Sequence, residues 1–303
     1  MKRASRVEAH AVALIEGALA QVRRIDDLLG SRAALPTALA LRNLITRLLE
    51  GPQQEGVRSC LISLVSQLFQ LQGWLAFDMA NNGAARVHFK DGLQAAHEAE
   101  DEALNAYILG YSSILATYCG EPQEGLAFAE AAQSRAKRAA TGATRSWLAT
   151  VEAEAWANLG AASGAEQALE RAETGLNEAK REDDPSWIYH YDEAGLRSAA
   201  GTCYLLLGLT ERARAAMNEA IAASRTRQVR EQSIHLTRLA ATYVPEGEVE
   251  EACRLAGSAL TVAEETGSDR AWQRVRELCE QLEPWSDASS VRELSGRLAG
   301  AGV

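Results

Sequence analysis

The chain has 303 residues, of which 47% are apolar and 24% charged, so it can bury a core and is not a disordered or fibrous polymer. A formal charge of −10 repels phosphate backbones, so direct nucleic-acid binding by this chain alone is not expected. Ala, Leu, Glu and Arg are abundant and runs of Val, Ile and Thr are scarce, which favours an all-α fold.

The charge is uneven. Residues 1–60 carry nine Lys/Arg and six Asp/Glu, a local +3 that leaves −13 on the remainder, and the basic start reads as a solvated helix face. The five cysteines, Cys60, Cys119, Cys203, Cys253 and Cys279, are scattered and form no C-x-x-C pair. They fit a reduced, cytoplasmic protein with thiols acting as small core residues. The apolar run 9–20 is broken by His10, Glu16 and Gly17, which makes it an amphipathic helix and not a signal peptide. No window reaches 18 uninterrupted apolar residues, so no membrane span is expected.

In chain order, residues 5–29 read as a first helix, with Val7, Leu14, Leu19, Val22, Ile25 and Leu29 at helical spacing and Gly30 as its stop. Pro36 suits the first turn of a second helix carrying Leu39, Leu41, Leu44, Leu48 and Leu49, which Gly51-Pro52 ends. Residues 1–56 thus form an N-terminal helical module. From Val57 onward the chain repeats itself: a small residue, a larger one four later, a small one three after that. The triplets are Ala85, Phe89, Gly92; Gly125, Ala129, Ala132; Ala165, Leu169, Ala172; Ala213, Met217, Ala220; and Ala252, Ala256, Ala259. Their first members lie 40, 40, 48 and 39 residues apart. Twelve residues before each stands another small residue, namely Gly73, Ser113, Ala153, Gly201 and Ala240, and three after that come Ala76, Ala116, Trp156, Tyr204 and Tyr243.

Small residues let two antiparallel helices approach where they cross, and bulky ones fill the groove against the next pair. The pattern resembles the tetratricopeptide repeat, W-x2-L-G-x2-Y followed by A-x3-F. Here the leading Trp is replaced by Phe69, Leu109, Ala149, Arg197 and Leu236, and the closing Pro is missing. Breakers at Asn81-Asn82-Gly83, Gly120-Glu121-Pro122, Ser163-Gly164, Gly208-Leu209-Thr210 and Pro245-Glu246-Gly247 are expected between the first (A) and second (B) helix of each pair. All six prolines are expected between helices or at their ends. The expectation is a right-handed helical-repeat solenoid, with five tetratricopeptide-like pairs over 57–266 and capping helices over 267–303, at 271–282 and 289–298.

A wider resemblance rests on IDDLLG at 25–30, QGWLAFDMA at 72–80, VHFKDGLQAAHEAED at 87–101, DDPSWIYHYDEAGL at 183–196 and EVEEACRLAGSAL at 248–260. These resemble the repeat region of actinobacterial transcriptional regulators with an N-terminal Xre-type helix-turn-helix. In that family the DNA-binding domain precedes the IDDLLG-like helix; here about two dozen residues do, without a Q-x3-A-x3-G core. The resemblance implies a sensor or partner-binding protein whose A helices line a concave face.

On that face the candidate contacts are Gln67, Gln70, Trp74, Asp78, Tyr107, Tyr111, Tyr118, Trp147, Glu154, Asn158 and Arg238, the three tyrosines sharing one helical side. The stretch 183–208 holds the one irregular spacing, eight residues longer than its neighbours. Within it Asp184 and Pro185 suit a helix start, the extra residues can fold a lip over the groove, and Trp187 and Tyr191, four apart, either staple two repeats or join Tyr189, Asp192 and Glu193 as ligand contacts. Inter-repeat packing is the competing role for all these aromatics.

Signals for chemistry are weak. The run His97-Glu98-Ala99-Glu100-Asp101 lacks H-E-x-x-H spacing and reads as a solvated helix end. His88 with Asp91, or His190, would serve an enzyme only by meeting another titratable group in a pocket. No catalytic residue, metal site or cofactor is assigned. The expected function is a non-enzymatic regulatory sensor for a peptide, small molecule or protein partner, with no membrane role and a homodimer allowed. A passive scaffold and an enzyme of a specialised biosynthetic pathway are the alternatives.

Overall fold

A computed structural model describes residues 9–223 and 229–300, and among them fourteen α-helices account for the fold, with no strand. Helices α1 (Ala9–Leu29) and α2 (Ser31–Leu49) open the chain. Five antiparallel pairs follow: α3 (Glu55–Asp78) with α4 (Asn82–Glu98), α5 (Glu102–Tyr118) with α6 (Pro122–Ala139), α7 (Gly142–Asn158) with α8 (Ala162–Asn177), α9 (Glu193–Leu206) with α10 (Thr210–Ala223), and α11 (Val229–Ala241) with α12 (Val249–Thr266). Helices α13 (Asp269–Gln281) and α14 (Ser289–Gly300) close it. Residues 5–8 of the expected first helix lie outside the described residues.

The small-large-small triplets are buried in every pair. Ala85, Ala165, Ala213 and Ala252 have no exposed surface, and neither do Met217 and Ala259. A Cβ at Gly73 would stand 2.4 Å from the Phe89 ring, so α3 approaches α4 only because that position is bare. The column Ala76, Ala116, Trp156, Tyr204, Tyr243 has a backbone role as well. Its carbonyls accept from the N–H of Asn81, Glu121, Ala161, Leu209 and Glu248, each five residues on, at 2.8–3.2 Å. This is the bond that ends a helix in a Schellman turn, and it needs a left-handed residue just before the donor. Ala80, Gly120, Gly160, Gly208 and Gly247 are those residues, 40, 40, 48 and 39 apart.

Several expectations need correction. Pro36 is not in a first turn: α2 starts at Ser31, because Gly30 at φ +81° turns the chain sharply and lets residues 31–35 enter the helix. Ser163 and Gly164 lie inside α8, and the turn is made by Gly160; a Cβ at Gly164 would come within 2.7 Å of Trp156, so that glycine serves packing. Asn82-Gly83 likewise belong to the first turn of α4. Of the thiols, Cys203 and Cys253 are buried, but Cys60 is exposed and Cys119 and Cys279 are half-buried. Helix α3 is long and apolar enough by composition to cross a membrane, yet 72% of that stretch is buried in the fold, and it carries Gln67, Gln70 and Gln72 inward.

The array does not stay open. Asp78, fully buried at the end of α3, accepts from Ser31 Oγ of α2 (3.0 Å) and from Ser268 Oγ, the N-cap of α13 (2.8 Å). Arg270 of α13 adds an ion pair with Asp78 at 3.6 Å and lies over the Trp74 ring, 4.9 Å from its centroid. Arg32 and Asp269 pair at the rim. The first and last helical pairs therefore meet, and α1 also touches α11.

Candidate functional site

Within the array, where its two ends meet, lies a cavity of about 220 Å³ that is partly open to solvent. Its wall takes side chains from α1, α3, α5, α7, α9, α11 and α13 and from the irregular segment 181–192. Of the sixteen residues singled out in the sequence, ten line it: Gln70, Trp74, Tyr107, Tyr111, Trp147, Glu154, Trp187, Tyr189, Tyr191 and Arg238.

Tyr107 is the centre of the aromatic wall. Its ring lies 4.2 Å from that of Trp187, 4.8 Å from Trp147 and 5.0 Å from Tyr111, centroid to centroid. The arrangement depends on Gly110, one turn from Tyr107, where a Cβ would stand 2.5 Å from the Trp147 ring. Tyr107 Oη donates to the Trp187 carbonyl (2.9 Å) and lies 2.9 Å from His190 Nε2 and 3.0 Å from Tyr111 Oη. Burial pushes the Tyr107 phenol well above its ordinary value of 10, so it stays protonated and acts as a donor.

The irregular segment is built from two 3-10 turns, Arg181–Asp183 and Ser186–Ile188, and not from a helix start. Asp184 therefore caps nothing and reaches only Arg181, at 3.6 Å, while Asp192 takes the cap of α9 by accepting from Gly195 N–H. The segment has an inner and an outer side. Trp187 and Tyr191 are buried, Tyr191 Oη lying 2.8 Å from Ser146 Oγ of α7, so the segment is fastened to α5 and α7. Tyr189 points the other way and donates to Asp27 of α1 at 2.7 Å. Burial and the Asp27 charge both raise the Tyr189 phenol. The segment thus bridges the inner wall to the first helix, over the cavity.

The remaining six candidates stand off the wall. Gln67 sits behind it, accepting from Arg23. Asp78 is in the clasp between the chain's ends. Tyr118 packs edge-on against Phe77, beneath the guanidinium of Arg274, about two helical turns beyond Tyr111. Asn158 is exposed and bonds its own helix, Asp192 is a cap, and Glu193 is exposed beside Arg197. His88 packs on Phe69 at the back of α3 and α4, away from the cavity, and burial lowers it.

The charged and polar lining residues that sequence reasoning did not assign to the site include Arg23, Asp26 and Asp27 on α1 and Arg270 on α13, toward the two ends of the chain, with His190, Ser198 and His235. No repeat register marks α1 or α13. The one available signal was IDDLLG itself, two adjacent acids on an amphipathic helix. Arg23 is only 5% exposed, and its hydrogen-bond partners are Gln67 Oε1 (3.0 Å) and Ser186 Oγ (3.4 Å).

No family profile matches the chain, and no curated protein matches it in sequence. Solved structures do. The crystal structure of a Rap protein complexed with competence and sporulation factor aligns over 97% of this chain and 98% of its own, with a TM-score of 0.58 and 12% identity. The structure of BtubC (BKLC) from P. vanneervenii aligns over 82% and 90%, with a TM-score of 0.50 and 16% identity. At such identities the likeness is one of fold: a tetratricopeptide-like helical-repeat solenoid.

Proposed function

We propose that this chain is a non-enzymatic regulatory repeat protein that receives a peptide or small molecule inside its closed solenoid and passes the event to a protein partner. The observation that carries the reading is the central cavity, where seven helices and a bridging segment converge on aromatic and charged side chains. A cavity narrowed by the meeting of the chain's own ends, and still open to solvent on one side, suits a ligand that enters and is partly enclosed. The Rap structure, solved with competence and sporulation factor, shares the architecture over nearly its whole length and supports a receptor reading. The likeness to regulators with an Xre-type reader gives the output a class, transcriptional control, exerted through a partner and not through nucleic-acid contact by this chain. A ligand shifts such a system only by binding one arrangement of the helices more tightly than another.

Native mass spectrometry after incubation with cell extract tests this. A peptide or small molecule is expected at one per chain, and Ala199→Phe, which fills the cavity from α9, is expected to abolish it. Retention of the species by that variant, or capture of a protein partner with no bound molecule, would move the function to a passive scaffold. A second reading is favoured by one contact: His190 meets the Tyr107 and Tyr111 hydroxyls at 2.9 and 3.4 Å inside the cavity, the proximity that acid–base chemistry needs. An enzyme would release a chemically altered ligand, and His190→Ala would leave that ligand unchanged.

A further inference from the structure

Arg23 stands apart from the other charges of the cavity. Its guanidinium carries five N–H donors and stays protonated in proteins. Gln67 and Ser186 take one donor from each terminal nitrogen, and both are neutral. Among the described residues no carboxylate makes an ion pair with Arg23. The acids one turn further along α1 face other partners: Asp26 accepts from Trp74 Nε1 (3.2 Å) and shares the Ser31 hydroxyl (2.8 Å) with Asp78, and Asp27 accepts from Tyr189 Oη (2.7 Å). Burial lowers the pKa of Arg23 below the ordinary arginine value, the expected sign for a cation held away from water.

A buried cation with only neutral partners is costly, and proteins keep such a group where an anion completes it. The surroundings state which anion. The rings of Trp147, Trp187 and Tyr107, inclined to one another by 32° to 46°, give the same cavity an aromatic wall, and Tyr107 and Tyr111 bring hydroxyls to it. We infer that Arg23 is the seat for a ligand carboxylate, and that the cavity takes a carboxylic acid with an aromatic body packed against the Trp147, Tyr107 and Trp187 rings. This deepens the receptor reading and rests on it. A free aromatic acid and the C-terminus of a peptide ending in an aromatic residue share this chemistry. The planar fork of the guanidinium pairs with a carboxylate through two parallel bonds, a geometry that an amide cannot reproduce.

The test uses two matched pairs on the full chain: phenylacetate against phenylacetamide, and an acetylated tripeptide ending in phenylalanine with a free or an amidated C-terminus. Titration calorimetry reads affinity, and quenching of the cavity tryptophans reports the location. The acid of at least one pair is expected to bind about tenfold or more tighter than its amide, as loss of a charge-assisted bond implies. Arg23→Met is expected to erase that difference and Arg23→Lys to retain part of it. Preference for the phenylacetate pair identifies a small acid, and preference for the tripeptide pair a peptide terminus. Arg23→Met is also expected to keep or raise the melting temperature of the free protein, since it removes an unneutralised buried charge; a fall of several degrees would make Arg23 structural and overturn the seat. Equal affinity for acid and amide, or an acid preference that survives Arg23→Met, overturns it while leaving a ligand-receiving cavity intact. Failure of all four probes to bind overturns the carboxylate assignment; the extract experiment with Ala199→Phe decides the receptor reading separately.

Discussion

Ala80 holds a conformation that its four counterparts fill with glycine. Its φ is +57°, against +71° to +81° at Gly120, Gly160, Gly208 and Gly247. A Cβ in the left-handed region costs about 1–2 kcal/mol, while a new glycine gives back part of that through the unfolded chain. Ala80→Gly is therefore expected to stabilise the protein by up to about 1 kcal/mol, seen as a higher urea midpoint at unchanged slope. Tyr107 makes the opposite case, a residue whose polar end is fully used. Tyr107→Phe keeps the ring packing but strands the Trp187 carbonyl, and about 1–2 kcal/mol of stability is expected to go at neutral pH. The phenol is raised in the folded state above its ordinary 10, so its contribution is whole below pH 10 and is lost as pH climbs through the raised value. Wild-type stability should thus fall as pH rises past 10, and the Tyr107→Phe variant should fall less steeply. Tyr189 and Tyr191, raised by burial in the same way, keep that variant's slope from vanishing.

At the scale of elements, what could be read from the sequence was what repeats. The triplets around Phe89 and Met217, and the column from Ala76 to Tyr243, recur because each serves the same local crossing or the same helix end. Local physics leaves a periodic trace. The segment 181–192 breaks the period, and there its place was legible but its form was not. Asp184-Pro185 reads as a helix start by every local rule, yet Trp187 and Tyr191 must both reach inward, to Tyr107 and Ser146, and a helix placing them on one side would carry Tyr189 away from Asp27. Two 3-10 turns satisfy all three contacts. Similarly, Tyr107, Tyr111 and Tyr118 share a helical side by spacing, but α5 runs out of the cavity before Tyr118, which ends against Phe77. Arg23 was invisible as a site residue because its partners, Gln67 and Ser186, stand 44 and 163 residues away. Nothing in the spacing of α1 points to them.

At the scale of the whole molecule, closure decides whether the cavity exists, and the contacts that close it are unequal. Arg32 and Asp269 have side chains 69% and 38% exposed, and such a pair contributes about 0–1 kcal/mol. Asp78 is fully buried among Ser31, Ser268 and Arg270, and removing one partner of a buried pair costs about 3–5 kcal/mol. The clasp therefore rests on Asp78, not on the rim. A cleaner way to part the ends is Gly30, because a matched control exists. Gly30 and Gly120 both have φ +81°, so alanine at either pays the same left-handed penalty of about 1–2 kcal/mol. A Cβ at Gly120 would meet nothing within 4 Å, whereas one at Gly30 would stand 2.1 Å from the Thr266 carbonyl oxygen, backbone that cannot yield without moving α12 away from α2. Both variants should pay the same left-handed penalty, but only Gly30→Ala should lose stability beyond it and enlarge the radius of gyration in small-angle scattering. It should also weaken ligand binding, because Arg23 rides on α1 while Trp147 and Trp187 stay on the inner wall. If Gly30→Ala scatters like Gly120→Ala and binds like the wild type, the ends are not what shuts the chamber, and the enclosed-ligand reading loses its structural basis.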